Sequence, residues 1–213
     1  MALLFNEEQQ YLKDTAKDFV QKNAPINHFR ELRDSKDKTG YSKELWKQMA
    51  ELGWAGILIS QEYGGSDFGM MGMGGILEET GRRLVPSPLF ATALLGASLI
   101  ELGGKADQKK DLLTKIAKGE LTTAFALEEG SRHTPYLIST TAEKKGKNFV
   151  LNGKKTFVLD GHSADLIVLA ARTSGGIEDQ SGISLFLIDP NSTGLERKRT
   201  HMVDSRNSSE IHL

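Results

Sequence analysis

Few residues in this 213-residue chain are of a type that does chemistry. Glu128 and Glu129 are adjacent carboxylates of the kind that divide general acid and general base work. Neighbouring residues of a strand project to opposite faces, however, so the two cannot act on one bond, and at least one is expected at the rim of a site. The five histidines, His28, His133, His162, His201 and His212, show no metal-ligand spacing, and cysteine is absent. Disulfides, thiolate zinc sites and thiol nucleophiles are therefore excluded, and no metal site is expected. The run from Gly64 to Gly75 is rich enough in glycine to invite a phosphate-loop reading. It follows no βαβ strand and lacks a Gly-Lys-Ser/Thr ending, and reads instead as a flexible loop entering a closely packed helix.

The elements that must position such residues come in two kinds. Asn6 with Gln9 forms a capping box ahead of an apolar face of Leu12, Ala16, Phe19 and Val20, and Pro25 ends that run. Ser42 is an N-cap, with Tyr41 and Trp46 spaced as a hydrophobic staple. Leu45, Met49 and Leu52 then make a buried face that Gly53 closes. Further helices are expected from about Gly69 to Leu84, from Pro88 to Gly103, and around Leu112 to Ala117, the last ended by Gly119. Near Glu120 the apolar period falls from about 3.6 to 2, which marks a domain boundary. Ile138, Thr140 and Ala142 alternate, Lys145 to Asn148 turns, and Phe149 to Leu151 returns. Asn152-Gly153 is a type I′ hairpin signal, so Lys154 to Leu159 is expected to pair back on the strand before it. Leu166 to Ala171, Ile183 to Ile188 and Ser209 to Leu213 complete a set of short strands. The fold class is α+β: a helical bundle over 1–119, then an antiparallel β-barrel or sandwich over 120–213, with any carboxy-terminal helical domain absent. Because the chain closes inside a strand-like stretch, truncation is expected.

Bulk properties narrow the partners. Lys plus Arg number 27 against 28 Asp plus Glu, a net charge of -1, so no field argues for nucleic acid or an anionic membrane surface. No apolar run reaches the ~18 residues that span a bilayer, and no secretory leader is evident, so a soluble cytoplasmic protein is expected.

The order of local motifs resembles the acyl-CoA dehydrogenase family along essentially the whole chain. The carriers of that resemblance are Phe5 to Gln9, Ser42 to Trp54 followed by Gln61 to Gly65, Glu78 to Arg82, Pro86 to Leu89 and Lys115 to Glu120. In the second half they are Ala124 to Glu129 and Phe149 to Lys155. The resemblance implies an FAD enzyme in which a Glu base removes the α-proton of an acyl-CoA thioester and the β-hydride passes to flavin. Electrons would leave to an electron-transfer flavoprotein, and the protein would work as a homo- or hetero-oligomer. It also implies that the cofactor lies along Phe125, Leu127, Glu128, Glu129, Gly130 and Ser131, and along the strand of Phe157, Val158 and Leu159. No residue here matches the family's catalytic base, so none is assigned and the chain alone is expected to be inactive. Two departures from the family pattern stand out. A Thr-Glu-Pro motif leading to Gly-Ser-Asp is replaced by Leu127 to Thr134, and a Trp-Ile-Thr motif by Phe157-Val158-Leu159, which keeps the aromatic and loses the hydroxyl. Both a catalytic chain and a non-catalytic subunit or binding module of a heteromeric dehydrogenase remain open.

Overall fold

The computed structural model describes residues 4–204 and 207–213. They form two compact units, one of helices through Thr122 and one of strands from Thr123 to Met202 with the final strand.

In the helical unit, α1 (Glu7–Asn23) opens on the expected capping box, Gln9 N donating to Asn6 Oδ1 at 2.8 Å and Asn6 N to Gln9 Oε1 at 3.1 Å. Pro25 ends α1 but also begins a second helix that periodicity did not announce, α2 (Ile26–Asp34), because its fixed φ suits the entry to a helix. In α3 (Lys43–Glu51), Ser42 accepts from Leu45 N at 3.1 Å, and Leu45, Trp46, Met49 and Ala50 are buried. Leu52 departs from expectation. It lies past the helix end and is 44 % exposed, since the chain has left the helical period there. A 3₁₀ turn (Gln61–Tyr63) precedes α4 (Gly69–Arg82), which packs on α1. Within the glycine run, Gly72 serves close packing, since a Cβ there would stand 2.3 Å from the Phe68 ring and 3.1 Å from Leu12, whereas one at Gly74 would meet open space. After Pro88 the chain winds as a π-helix (Leu89–Gly96) into α5 (Ala97–Gly103), and α6 (Ala106–Ala117) completes the unit.

The strand unit holds β1 (Thr123–Ala126), β2 (Thr141–Lys145), β3 (Asn148–Asn152), β4 (Lys154–Leu159), β5 (Leu166–Arg172), β6 (Ile183–Ile188), β7 (Glu196–His201) and β8 (Asn207–His212). One sheet runs β1-β5-β2-β3 with β6 on β5, and the other runs β4-β8-β7. Pairings are mostly antiparallel, but β1 and β2 both run parallel to β5. The hairpin expected at Lys145–Asn148 forms. The one expected at Asn152-Gly153 does not: β3 pairs with β2, whereas β4 leaves for the other sheet and pairs with β8. Gly153 is the crossing point. Its φ is 156°, its carbonyl accepts from Leu213 N at 3.0 Å, and a Cβ would stand 2.5 Å from Thr140 Oγ1. A distant partner strand therefore overrides the local turn preference.

Candidate functional site

β4 is irregular where the sequence pointed to a cofactor. Lys155 faces Ile211 and Val158 faces Ser209, so β4 takes three steps while β8 takes two. The extra residue is absorbed at Phe157, whose φ of 51° is left-handed. Left-handed backbone costs a non-glycine residue roughly 1–2 kcal/mol, and bulges recur beside active sites because they re-aim side chains. The bulge turns Lys155 and Val158 both inward and leaves the Phe157 ring 57 % exposed. Leu159 is half-buried. Of the three strand residues singled out, then, Phe157 presents a side chain outward, while Val158 is in the core and offers only its backbone.

β1 lies against β4 and delivers the second predicted stretch. Phe125 and Leu127 are half-buried, and Gly130 and Ser131 are exposed. The stretch has no regular partner strand after Ala126, yet β4 holds it by its carbonyls. Thr156 N donates to Glu128 O at 2.7 Å, Thr156 Oγ1 to Gly130 O at 3.2 Å, and Lys155 Nζ to Leu127 O at 3.0 Å. The N–H groups of Glu128, Glu129, Gly130 and Ser131 donate to nothing among the described residues.

The two carboxylates separate, but not by strand alternation: both lie past the end of β1 and are drawn apart by different partners. Glu128 is held at the surface by His133 Nδ1 at 2.6 Å. Glu129 turns in to Lys155, whose ammonium is fully buried and 2.7 Å away, and accepts from Ser139 N at 2.7 Å, from Ser139 Oγ and from Thr140 N at 3.0 Å. Burial pushes the Glu129 carboxyl up, but the hydrogen bonds from Lys155, Ser139 and Thr140 outweigh it and hold the group at about 2. Burial likewise pushes the Lys155 ammonium down, against the hydrogen bond and charge of Glu129. The pair is a buried salt bridge that ties the 127–131 stretch to the bulged strand. Sequence reasoning missed Lys155, Ser139, Thr140 and Thr156. The available signal was Lys154-Lys155 inside a strand, where alternation sends one of two lysines inward.

An exposed aromatic face beside a row of unengaged amide donors fits a planar ring system with acceptor atoms along its edge, as an isoalloxazine has. Among the described residues no cluster of His, Asp and Glu could hold a metal ion.

Comparison with known proteins accounts for both units. Residues 6–120 match the family described as acyl-CoA dehydrogenase, N-terminal domain, and residues 124–213 match acyl-CoA dehydrogenase, middle domain. The chain is 31% identical over 198 residues to the 3-(aryl)acrylate reductase of Clostridium sporogenes, covering 91% of this chain and 51% of that protein. It is 30% identical over 197 residues to the caffeyl-CoA reductase-Etf complex subunit CarC of Acetobacterium woodii, again 91% of this chain and 51% of the relative. The crystal structure of acyl-CoA dehydrogenase from Geobacillus kaustophilus superposes with a TM-score of 0.84 at 28% identity, over 100% of this chain and 57% of that one. The chain thus spans about half the length of the curated relatives it matches.

Proposed function

Since the chain belongs to the acyl-CoA dehydrogenase family through both its amino-terminal and its middle domain, we propose that it supplies the flavin-facing part of an FAD-dependent dehydrogenase acting on the α,β carbons of an acyl-CoA thioester. The observation that carries this reading is the bulge in β4, which presents Phe157 beside the open amides of residues 128–131. When bound, FAD supplies a hydride acceptor that can release its electrons singly. Phe157 provides an aromatic surface for the ring system, and the amides of Glu128 to Ser131 provide donors for its acceptor edge. Phe125, Leu127 and Leu159 supply apolar wall that excludes water, and Val158 contributes backbone alone. The Lys155–Glu129 pair fixes the distance between the stretch and the strand. No residue of these 213 is assigned as the α-proton base. Electron-transfer flavoprotein is the proposed acceptor, a choice that the name of the Acetobacterium relative supports. Assembly as a homo- or hetero-oligomer and a cytoplasmic setting belong to the same proposal; among the described residues no helix is long and apolar enough to cross a membrane.

The second reading, a non-catalytic subunit that completes a partner's site, is favoured by one observation: Leu159 stands where the family pattern has a hydroxyl. Titration of the full-length protein with FAD, followed by flavin fluorescence, separates the two. Saturable binding that weakens about tenfold in Phe157→Ala is expected, in line with the loss of an aromatic stacking contact. A full-length protein that takes up no FAD would overturn the catalytic reading in favour of the second.

A further inference from the structure

Arg172 closes β5 and is buried, at 7 % exposure. No carboxylate meets its guanidinium among the described residues; all its acceptors are backbone carbonyls. Nε donates to Ile138 O at 2.9 Å, Nη2 to Tyr136 O and Asp179 O, each at 3.0 Å, and to Ile177 O at 3.1 Å. Nη1 donates to Ser181 O at 3.0 Å and Ser174 O at 3.4 Å. A buried cation without a counter-ion is costly and persists only where its donors are met, as the five N–H groups of a guanidinium are here.

The geometry of the acceptors gives this cation a second consequence. The Ile138 carbonyl and the Ser139 N–H belong to one planar trans peptide unit and point opposite ways. Arg172 holds the carbonyl end, and the N–H end donates to Glu129 at 2.7 Å. The next residue is held differently: Thr140 O accepts from the Arg172 backbone N at 2.8 Å, while Thr140 N, in the preceding peptide unit, donates to Glu129 at 3.0 Å. This short run of backbone thus connects Arg172 to the Glu129 carboxylate, oriented by the arginine on one side and polarised toward the carboxylate on the other.

We propose that Arg172 is a positioning residue, whose guanidinium, through the Ile138–Ser139 peptide, sets the Glu129–Lys155 pair and hence the 127–131 stretch. Its bearing on flavin rests on the function proposed above; the linkage from Arg172 to Glu129 does not. Arg172→Met removes charge and fork together, whereas Arg172→Lys keeps the charge but offers its three donors from one nitrogen. Three measurements on the full-length protein test the proposal: amide hydrogen exchange, the titration of Glu129 by carboxyl NMR, and FAD affinity. In Arg172→Met, exchange at Ser139 is expected to quicken about tenfold, and Glu129 to titrate above its value of about 2. FAD affinity is expected to fall about five- to tenfold, the equivalent of one lost hydrogen bond. Arg172→Lys is expected to fall between Met and wild type, and it carries the comparison if the Met variant does not fold. Unchanged exchange in β7 and β8 marks an intact fold. Faster exchange confined to residues 173–182, with Ser139 and Glu129 unmoved, would reduce Arg172 to a clamp on that loop and overturn the proposal. A Glu129 that shifts while FAD affinity holds would break its link to the cofactor. A wild-type protein that binds no FAD would refute the proposed function, and exchange and titration would still decide the role of Arg172.

Discussion

Lys155 and Glu129 are the residues on which the candidate site turns, and their energetics are asymmetric. A buried pair is worth little against two apolar residues, but removing one partner leaves the other charge buried and alone. Lys155→Met is therefore expected to lower stability by about 3 kcal/mol or more, measured by urea unfolding, while combining Lys155→Met with Glu129→Leu is expected to recover much of that loss. The pH dependence has a definite sign. The folded Glu129 carboxyl lies at about 2, below the ~4.3 of an unfolded glutamate. Its contribution is complete above pH ~4.3 and is lost as pH falls through the folded value. Unfolding measured between pH ~5 and about 2 should show this decline, and Glu129→Gln should flatten that part of the curve. Leu159 can be tested alone: if the site uses flavin as proposed, Leu159→Thr restores a hydroxyl and strengthens FAD binding by up to about tenfold. No gain in a fluorescence titration would mean that this position has no flavin role.

At the scale of the element, the bulge of β4 and the crossing at Gly153 make opposite predictions. Phe157 is left-handed and mostly exposed, so Phe157→Gly relieves backbone strain and forfeits little burial. Thermal unfolding of this variant is expected to match or exceed wild type by up to about 1 kcal/mol, with FAD affinity reduced. A protein destabilised by this change would show that the ring is a packing residue. Gly153 has no such latitude, since any Cβ there meets both the side chain and the backbone of Thr140 within 2.8 Å. Gly153→Ala is expected to cost about 1–3 kcal/mol through overpacking. The loss should also loosen β4 against β8, visible as faster amide exchange at Lys155 and Val158.

For the whole molecule, both family domains are present and together span about half the length of the curated relatives. The helical unit carries its own core around Trp46, Met49, Trp54 and Met73, and the strand unit a separate one around Ile167, Leu169, Val158 and Ile211. These 213 residues, purified alone and mixed with FAD, a panel of acyl-CoAs and an artificial electron acceptor, are expected to give no turnover because no residue is assigned as the base. Reduction of the acceptor above a no-protein control would show that a base was overlooked.

What the sequence determined by itself was whatever depends on neighbours along the chain. The caps at Asn6 and Ser42 are local hydrogen bonds, the turn at Lys145–Asn148 closes on its own flanks, and the change of period near Glu120 needs no partner to be read. Tertiary structure decided the rest. Whether Asn152-Gly153 turned back or crossed to another sheet depended on β8, which lies far along the chain, and a local preference is weaker than a full ladder of hydrogen bonds. The inward turn of Lys155 required a carboxylate from another segment, since only that partner makes burying an ammonium tolerable. Phe157 could be named from its position, but its exposure came from a one-residue mismatch between β4 and β8, which no periodicity records. Arg172 carried no signal at all in the sequence, because its acceptors are backbone carbonyls, and every residue has one.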